Sequence, residues 1–146
     1  MAGEVIVDAG SWVDLTTSGG AISNAAYGEA ATTFSRVSNG GGRPWVEIEF
    51  EFANSSNASG SPLVALYTQA RDLFGAADHA VVPSGTNPAR WEWSEQTATG
   101  ITTAQRKTLI LRDVPEAFRV YLYNQTGHTI AAGWKMRARG YSLTTA

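Results

Sequence analysis

Cysteine is absent from this 146-residue chain. That excludes disulfide bonds and thiolate chemistry, and it removes the commonest ligands of structural zinc. Charge is sparse: charged residues make up 16%, against roughly 25% in an average soluble domain. The formal net charge of −2 supplies no general attraction to nucleic acid or to an anionic membrane. No apolar run approaches the length that crosses a bilayer as a helix. Histidine occurs only as His79, beside Asp78, and His128, and neither has a second ligand at metal-like spacing. The chain has no Gly-x-Ser-x-Gly nucleophile elbow, and Gly40-Gly41-Gly42 lacks the lysine of a phosphate loop. The start carries Glu4 and only a short apolar patch, so it does not read as a secretory signal. No cofactor is expected.

What is present is a core and a polar, weakly charged surface. Hydrophobic residues reach 43%, with five Trp, enough to exclude disorder. The length suits one domain over residues 1–146, burying roughly two thirds of its unfolded surface. Ser, Thr, Asn and Gly fill the place that charge leaves. In such a composition the three Asn-x-Ser/Thr sequons at Asn54, Asn57 and Asn124 arise without a secretory route.

Periodicity points to strands. Residues 44–52 alternate cleanly: Val46, Ile48, Phe50 and Phe52 face one way, and Trp45, Glu47, Glu49 and Glu51 the other. Residues 116–124 repeat the pattern, with Phe118, Val120 and Leu122 opposite Arg119, Tyr121 and Tyr123. Further strands are expected at 4–8, 11–16, 32–38, 63–69, 90–94, 105–112 and 129–143, with 63–69 apolar on both faces and therefore central. Residues 1–15 read as first strands or an extended arm. Segments 17–31, 53–62, 81–88 and 97–104 read as loops or turns, and 70–80 has room for one short helix that Gly75 weakens. Asn124-Gln-Thr-Gly127 suits a hairpin turn, and Gly133 a bulge or bend. The fold class is therefore all-β: a single antiparallel β-sandwich, jelly-roll or immunoglobulin-like, with long loops.

Three constellations could carry chemistry. Glu47, Glu49 and Glu51 share a strand face, where paired carboxylates can do acid/base work on sugars. The string Glu47-Ile-Glu-Phe-Glu51 resembles the Glu-x-Asp-x-Glu motif of laminarinase-like glycoside hydrolases. That likeness implies Glu47 as nucleophile and Glu51 as acid/base, with Glu49 departing from the central Asp. Solvated glutamates on a sheet face are the simpler reading, and no enzyme is expected. Lys135, Arg137 and Arg139 form a basic stripe of the same period. It would pair with the glutamates if the two strands are neighbours, or dock an acidic partner. Trp91 and Trp93, with Trp45, could form an aromatic platform for sugar rings, although Trp more often anchors a core or an interface.

The run Asp113-Val-Pro-Glu-Ala-Phe-Arg-Val-Tyr-Leu-Tyr-Asn-Gln-Thr-Gly127 resembles the penultimate strand of small β-sandwich virion proteins of tailed bacteriophages. Pro115, Phe118, Val120, Leu122, Asn124 and Gly127 carry the likeness, and Gly10-Ser-Trp-Val-Asp-Leu-Thr16 fits the same style. The resemblance implies a capsid decoration or cement protein of the virion, assembled in the host cytoplasm and homo-oligomeric. Its implied partners are the major capsid protein or other virion proteins, with surface glycans as the alternative and neither nucleic acid nor membrane. A tail, neck or head-fibre component and a carbohydrate-binding module are the other readings. The residues expected at the interface are Trp12, Trp45, Trp91, Trp93, Lys135, Arg137 and Arg139.

Overall fold

The computed structural model describes residues 5–70, 91–112 and 114–145. The described residues form strands β1 (Val5–Ala9), β2 (Val13–Gly19), β3 (Tyr27–Glu29), β4 (Phe34–Ser35) and β5 (Trp45–Phe52). They continue with β6 (Leu63–Ala70), β7 (Trp91–Gln96), β8 (Gln105–Leu111), β9 (Ala117–Gln125) and β10 (Trp134–Thr145). The helix expected within 70–80, the turns of 81–88 and His79 lie outside the described residues, apart from Ala70, which ends β6.

Alternation decides which face of each strand is buried. On β5, Val46, Ile48, Phe50 and Phe52 are buried, while Trp45 and the three glutamates between them stay half-exposed. On β9 the inward set is Phe118, Val120 and Leu122. The two strands lie in different sheets. One sheet runs β1-β10-β5-β8, with β2 continuing beside β10, and the other runs β3-β9-β6-β7, with β4 beside β9. All pairings are antiparallel. The chain changes sheets after β2, β4, β5, β7, β8 and β9, which is the strand order of a jelly roll. Of the two sandwich types left open by the sequence, the immunoglobulin-like one is set aside by this order.

The core lies between the sheets. Ile48, Phe50, Phe52 and Met136 from one side meet Leu66, Phe118, Val120 and Leu122 from the other, all essentially solvent-free. Burying each such side chain contributes about 1.5–3 kcal/mol before entropy is charged against it. The Phe34 and Phe118 rings sit 5.8 Å apart, and Trp93 meets Phe50 edge-on at 5.6 Å. A second cluster of Ala65, Tyr67 and Tyr121 is buried on the other side of β6 and β9, with Tyr27 and Tyr123 packed on it. This is why residues 63–69 are apolar in both registers.

Three expectations are corrected by the folded chain. Residues 17–31 are not one loop, since Tyr27–Glu29 pairs with β9. Residues 32–38 hold only the two-residue β4, because the backbone turns back on itself where Asn39 and Gly40 donate to the Ser35 carbonyl. Asn124-Gln-Thr-Gly127 is not a hairpin turn but the crossing from one sheet to the other. Gly127 does take a left-handed φ of 79°. The buried Asn124 amide donates to the carbonyls of Ile22 (2.8 Å) and His128 (2.7 Å) and accepts from the Thr126 N–H (3.0 Å) and hydroxyl (2.8 Å). One side chain thereby satisfies backbone that a crossing would otherwise leave unpaired. Gly133 takes a left-handed φ of 95° in the turn just before β10, so of the bulge or bend expected there the chain makes the bend.

Glycine also permits a close approach that positions β10. A Cβ on Gly140 would sit 2.0 Å from the Gly40 carbonyl oxygen, which is backbone and cannot swing away. Gly20, by contrast, faces open space. We expect Gly140→Ala to destabilise the fold by about 1–3 kcal/mol, as overpacking does, and Gly20→Ala to stay within about 0.5 kcal/mol of wild type. Equilibrium denaturation of both variants checks the contrast.

Candidate functional site

The outward face of the β1-β10-β5-β8 sheet gathers most of the polar residues singled out in the sequence. Pairing sets them in rows across the strands: Asp14, Arg137, Glu49 and Thr108 in one, Lys135, Glu51 and Arg106 in the next, Arg139, Glu47 and Ile110 in a third. The sign of charge alternates from strand to strand. Arg139 Nε donates to Glu47 Oε2 at 2.5 Å, Arg137 Nε to Glu49 Oε1 at 2.8 Å, and Arg106 to Glu51 Oε2 at 2.9 Å. The basic stripe thus meets the acidic stripe, with opposite charges facing each other across neighbouring strands.

Trp12, on the link between β1 and β2, lies over this lattice. The guanidinium carbons of Arg137 and Arg139 stand 4.4 and 4.3 Å from its ring centroid. The quadrupole of the indole attracts both cations and holds the ring against the sheet. Farther along the same face Trp45 stacks on Tyr141, centroids 6.2 Å apart and planes at 23°, with Arg112 5.0 Å from the indole.

Between β2 and β8 this face forms a groove of about 380 Å³. Asp14 and Thr17 bound one side, Arg106 the other, and Glu49, Glu51 and Arg137 lie between them. Asp14, Glu49 and Glu51 are matched in number by Arg106, Lys135 and Arg137, so three charges of each sign line it. Asp14, Thr17 and Arg106 were not singled out from the sequence. Nothing local marks them, because their place depends on β2 and β8 flanking the β10–β5 pair.

Of the residues singled out from the sequence, Trp12, Trp45, Lys135, Arg137 and Arg139 share this face. Trp93 does not: it packs into the core against Phe50. The Trp91 side chain lies outside the described residues. Trp45 is on the outward face, so it does not share a platform with Trp93.

Glu47 and Glu51 are four residues apart on one strand, about 13 Å between Cα atoms. A hydrogen bond from Arg106 holds the Glu51 carboxyl below the ordinary 4.5, the opposite of the shift a general acid requires. Asp8 is likewise held below 3.8 by a hydrogen bond from Arg43. Ser56 Oγ and His128 Nδ1 lie within 2.8 Å, a pairing that sequence spacing could not reveal. Among the described residues, no cluster of His, Asp or Glu could hold a metal.

No family model matches the sequence, and no curated protein matches it. Among solved structures, the chain is similar to a carbohydrate-binding module from Cellvibrio mixtus lichenase 5A in complex with cellotriose, at 14% identity and TM-score 0.48. That match covers 94% of this chain and 97% of the other. It is similar also to the C-terminal module of LamC, a marine laminarinase from Zobellia galactanivorans, at 10% identity and TM-score 0.47, covering 92% and 98%. A xylan-binding domain of Paenibacillus barcinonensis Xyn10C matches at 9% identity and TM-score 0.33, covering 99% and 96%.

The depressed carboxyls make stability depend on pH with a definite sign. A group whose pKa is lower folded than unfolded stabilises the fold above its unfolded value, here 4.5 for Glu51 and 3.8 for Asp8. That contribution is lost as pH falls through the folded value. The melting temperature should therefore decline as pH drops below about 4.5, less steeply at high salt. A Glu51→Gln, Asp8→Asn double variant should flatten the profile in thermal melts.

Proposed function

We propose that this chain is a non-catalytic binding module that takes neutral glycans in the groove of the β10–β5 face. One observation carries the reading: the groove is lined by equal numbers of fixed carboxylates and cations, alternating at strand spacing. A charged ligand gains little from a field that sums to zero. A saccharide, whose hydroxyls donate and accept at once, can bridge neighbouring acceptors and donors without displacing charge. The groove volume falls within the range of small-ligand sites, about 300–1,000 Å³, and Trp12 stacks on Arg137, one of the lining residues.

A second reading is a virion structural protein, such as a capsid decoration or cement protein, located on the particle. It is favoured by the Trp45–Tyr141–Arg112 patch, whose residue types dominate protein interfaces energetically. On that reading the chain binds assembled heads saturably, and Trp45→Ala or Arg112→Ala weakens co-sedimentation about tenfold or more. Wild-type protein that stays in the supernatant at every salt concentration removes it.

For the glycan reading, titration calorimetry against neutral oligosaccharides should show saturable binding that changes little with salt. Glu49→Gln and Arg106→Ala should each weaken it about tenfold, the loss of one charge-assisted hydrogen bond. A panel of neutral glycans that yields no heat, or binding indifferent to both substitutions, overturns the proposal.

A further inference from the structure

Among the described residues, four of the six exposed large hydrophobic side chains lie on one short ribbon. Val5, Ile6 and Val7 of β1 are 60%, 46% and 56% exposed, and Leu143 of β10 is 41% exposed. The pairing of β10 with β5 ends at Tyr141–Trp45, whereas its pairing with β1 continues to Thr145–Val5. The last residues of β10 therefore have β1 as their only strand partner among the described residues. A two-stranded ribbon with apolar side chains on both faces is marginal by itself in water.

The edge of β1 away from β10, which has no strand partner among the described residues, has a definite hydrogen-bonding pattern. The Gly10 N–H donates to the Gly140 carbonyl at 2.9 Å. Antiparallel periodicity then turns the backbone groups of Ile6 and Asp8 toward β10, and those of Val5, Val7 and Ala9 away from it. What satisfies such an edge is another extended strand. The other strands that end these sheets carry devices that discourage pairing. β8 contains Arg106 and Lys107, β7 contains Glu95, β3 and β4 are only three and two residues long, and β2 is met by Thr32, whose N–H donates to the Leu15 carbonyl at 3.0 Å. β1 has no proline and no lysine, and its single charge, Asp8, is held by Arg43 at 2.9 and 3.0 Å.

We propose that two copies of this chain pair their β1 strands antiparallel about a two-fold axis at Val7. The five residues Val5–Ala9 are symmetric about Val7, so the outward groups of Val5, Val7 and Ala9 meet those of Ala9, Val7 and Val5 in the second copy. Each Asp8 is already neutralised by its own Arg43, which leaves no like-charge repulsion across the axis. Val5, Val7 and Leu143 share one face of the sheet, since Val7 pairs with Leu143. Three such side chains from each copy then form one apolar strip of six. The pairing joins the two sheets into one, β8-β5-β10-β1-β1-β10-β5-β8. This is an isologous contact, closed by its own symmetry.

Sedimentation equilibrium on the full chain should show a dimer, and Val7→Lys should raise its dissociation constant about a hundredfold with unchanged circular dichroism. A second variant does not depend on that comparison. Because the chain has no cysteine, Val7→Cys can form only an intermolecular disulfide. Facing Val7 positions would lie about 5.5 Å apart, within the disulfide range of about 4.4–6.8 Å. Val7→Cys should therefore cross-link on mild oxidation, and Ile6→Cys, which faces Asp8 of the second copy, should not. A wild-type monomer at high concentration overturns the proposal. So does a dimer indifferent to Val7→Lys, or equal cross-linking of the two cysteine variants.

Discussion

The constraint on which this molecule depends is the period of two along β5 and β10. Side chains at Val46, Ile48, Phe50 and Phe52, with Trp134, Met136 and Ala138 beside them, close against the second sheet. A slip of one residue would send Glu47, Glu49, Glu51, Arg137 and Arg139 into that core, where desolvation costs several kcal/mol per ion. Register is therefore held strongly. The same alternation that builds the core delivers the charged residues to one outward face.

Once there, the charges organise one another. No single exposed ion pair contributes much to stability. Together, the Glu47–Arg139, Glu49–Arg137 and Glu51–Arg106 bonds hold long side chains in chosen conformations on rigid strands. Trp12 adds to this by covering two of the guanidiniums. Any ligand binding such a surface would meet groups that are already ordered, so less entropy would be lost. Three charges of each sign leave the groove no net charge with which to steer one.

The two ends of the sandwich solve different problems. At the crossing from β9 to β10, Asn124 ties Ile22, Thr126 and His128 together, so that backbone leaving one sheet does not reach the other with bare polar groups. At the far end, Gly40 and Gly140 allow a loop to rest directly on β10. Between these points β10 runs twelve residues, longer than the partner strand β5. Its overhang with β1 is a consequence of that length.

Much of this was legible in the residues themselves. The alternation at 44–52 and 116–124, the double-sided apolar run at 63–69 and the matching Glu and Lys/Arg stripes each depend on neighbours in the chain, which a linear pattern records. Trp93 misled because the face of β7 that meets the core is set by packing against Phe50 of the other sheet. Asn124-Gln-Thr-Gly127 misled because a turn motif does not state which sheet the next strand will join. Asp14, Thr17 and Arg106 carried no local mark at all. What the chain determined alone was which face of each strand is buried, since that follows from side-chain polarity at period two. Which strands lie side by side, and hence that a neutral groove forms between β2 and β8, was decided only by tertiary packing. Strand pairing joins residues far apart in the chain through backbone groups that every sequence shares.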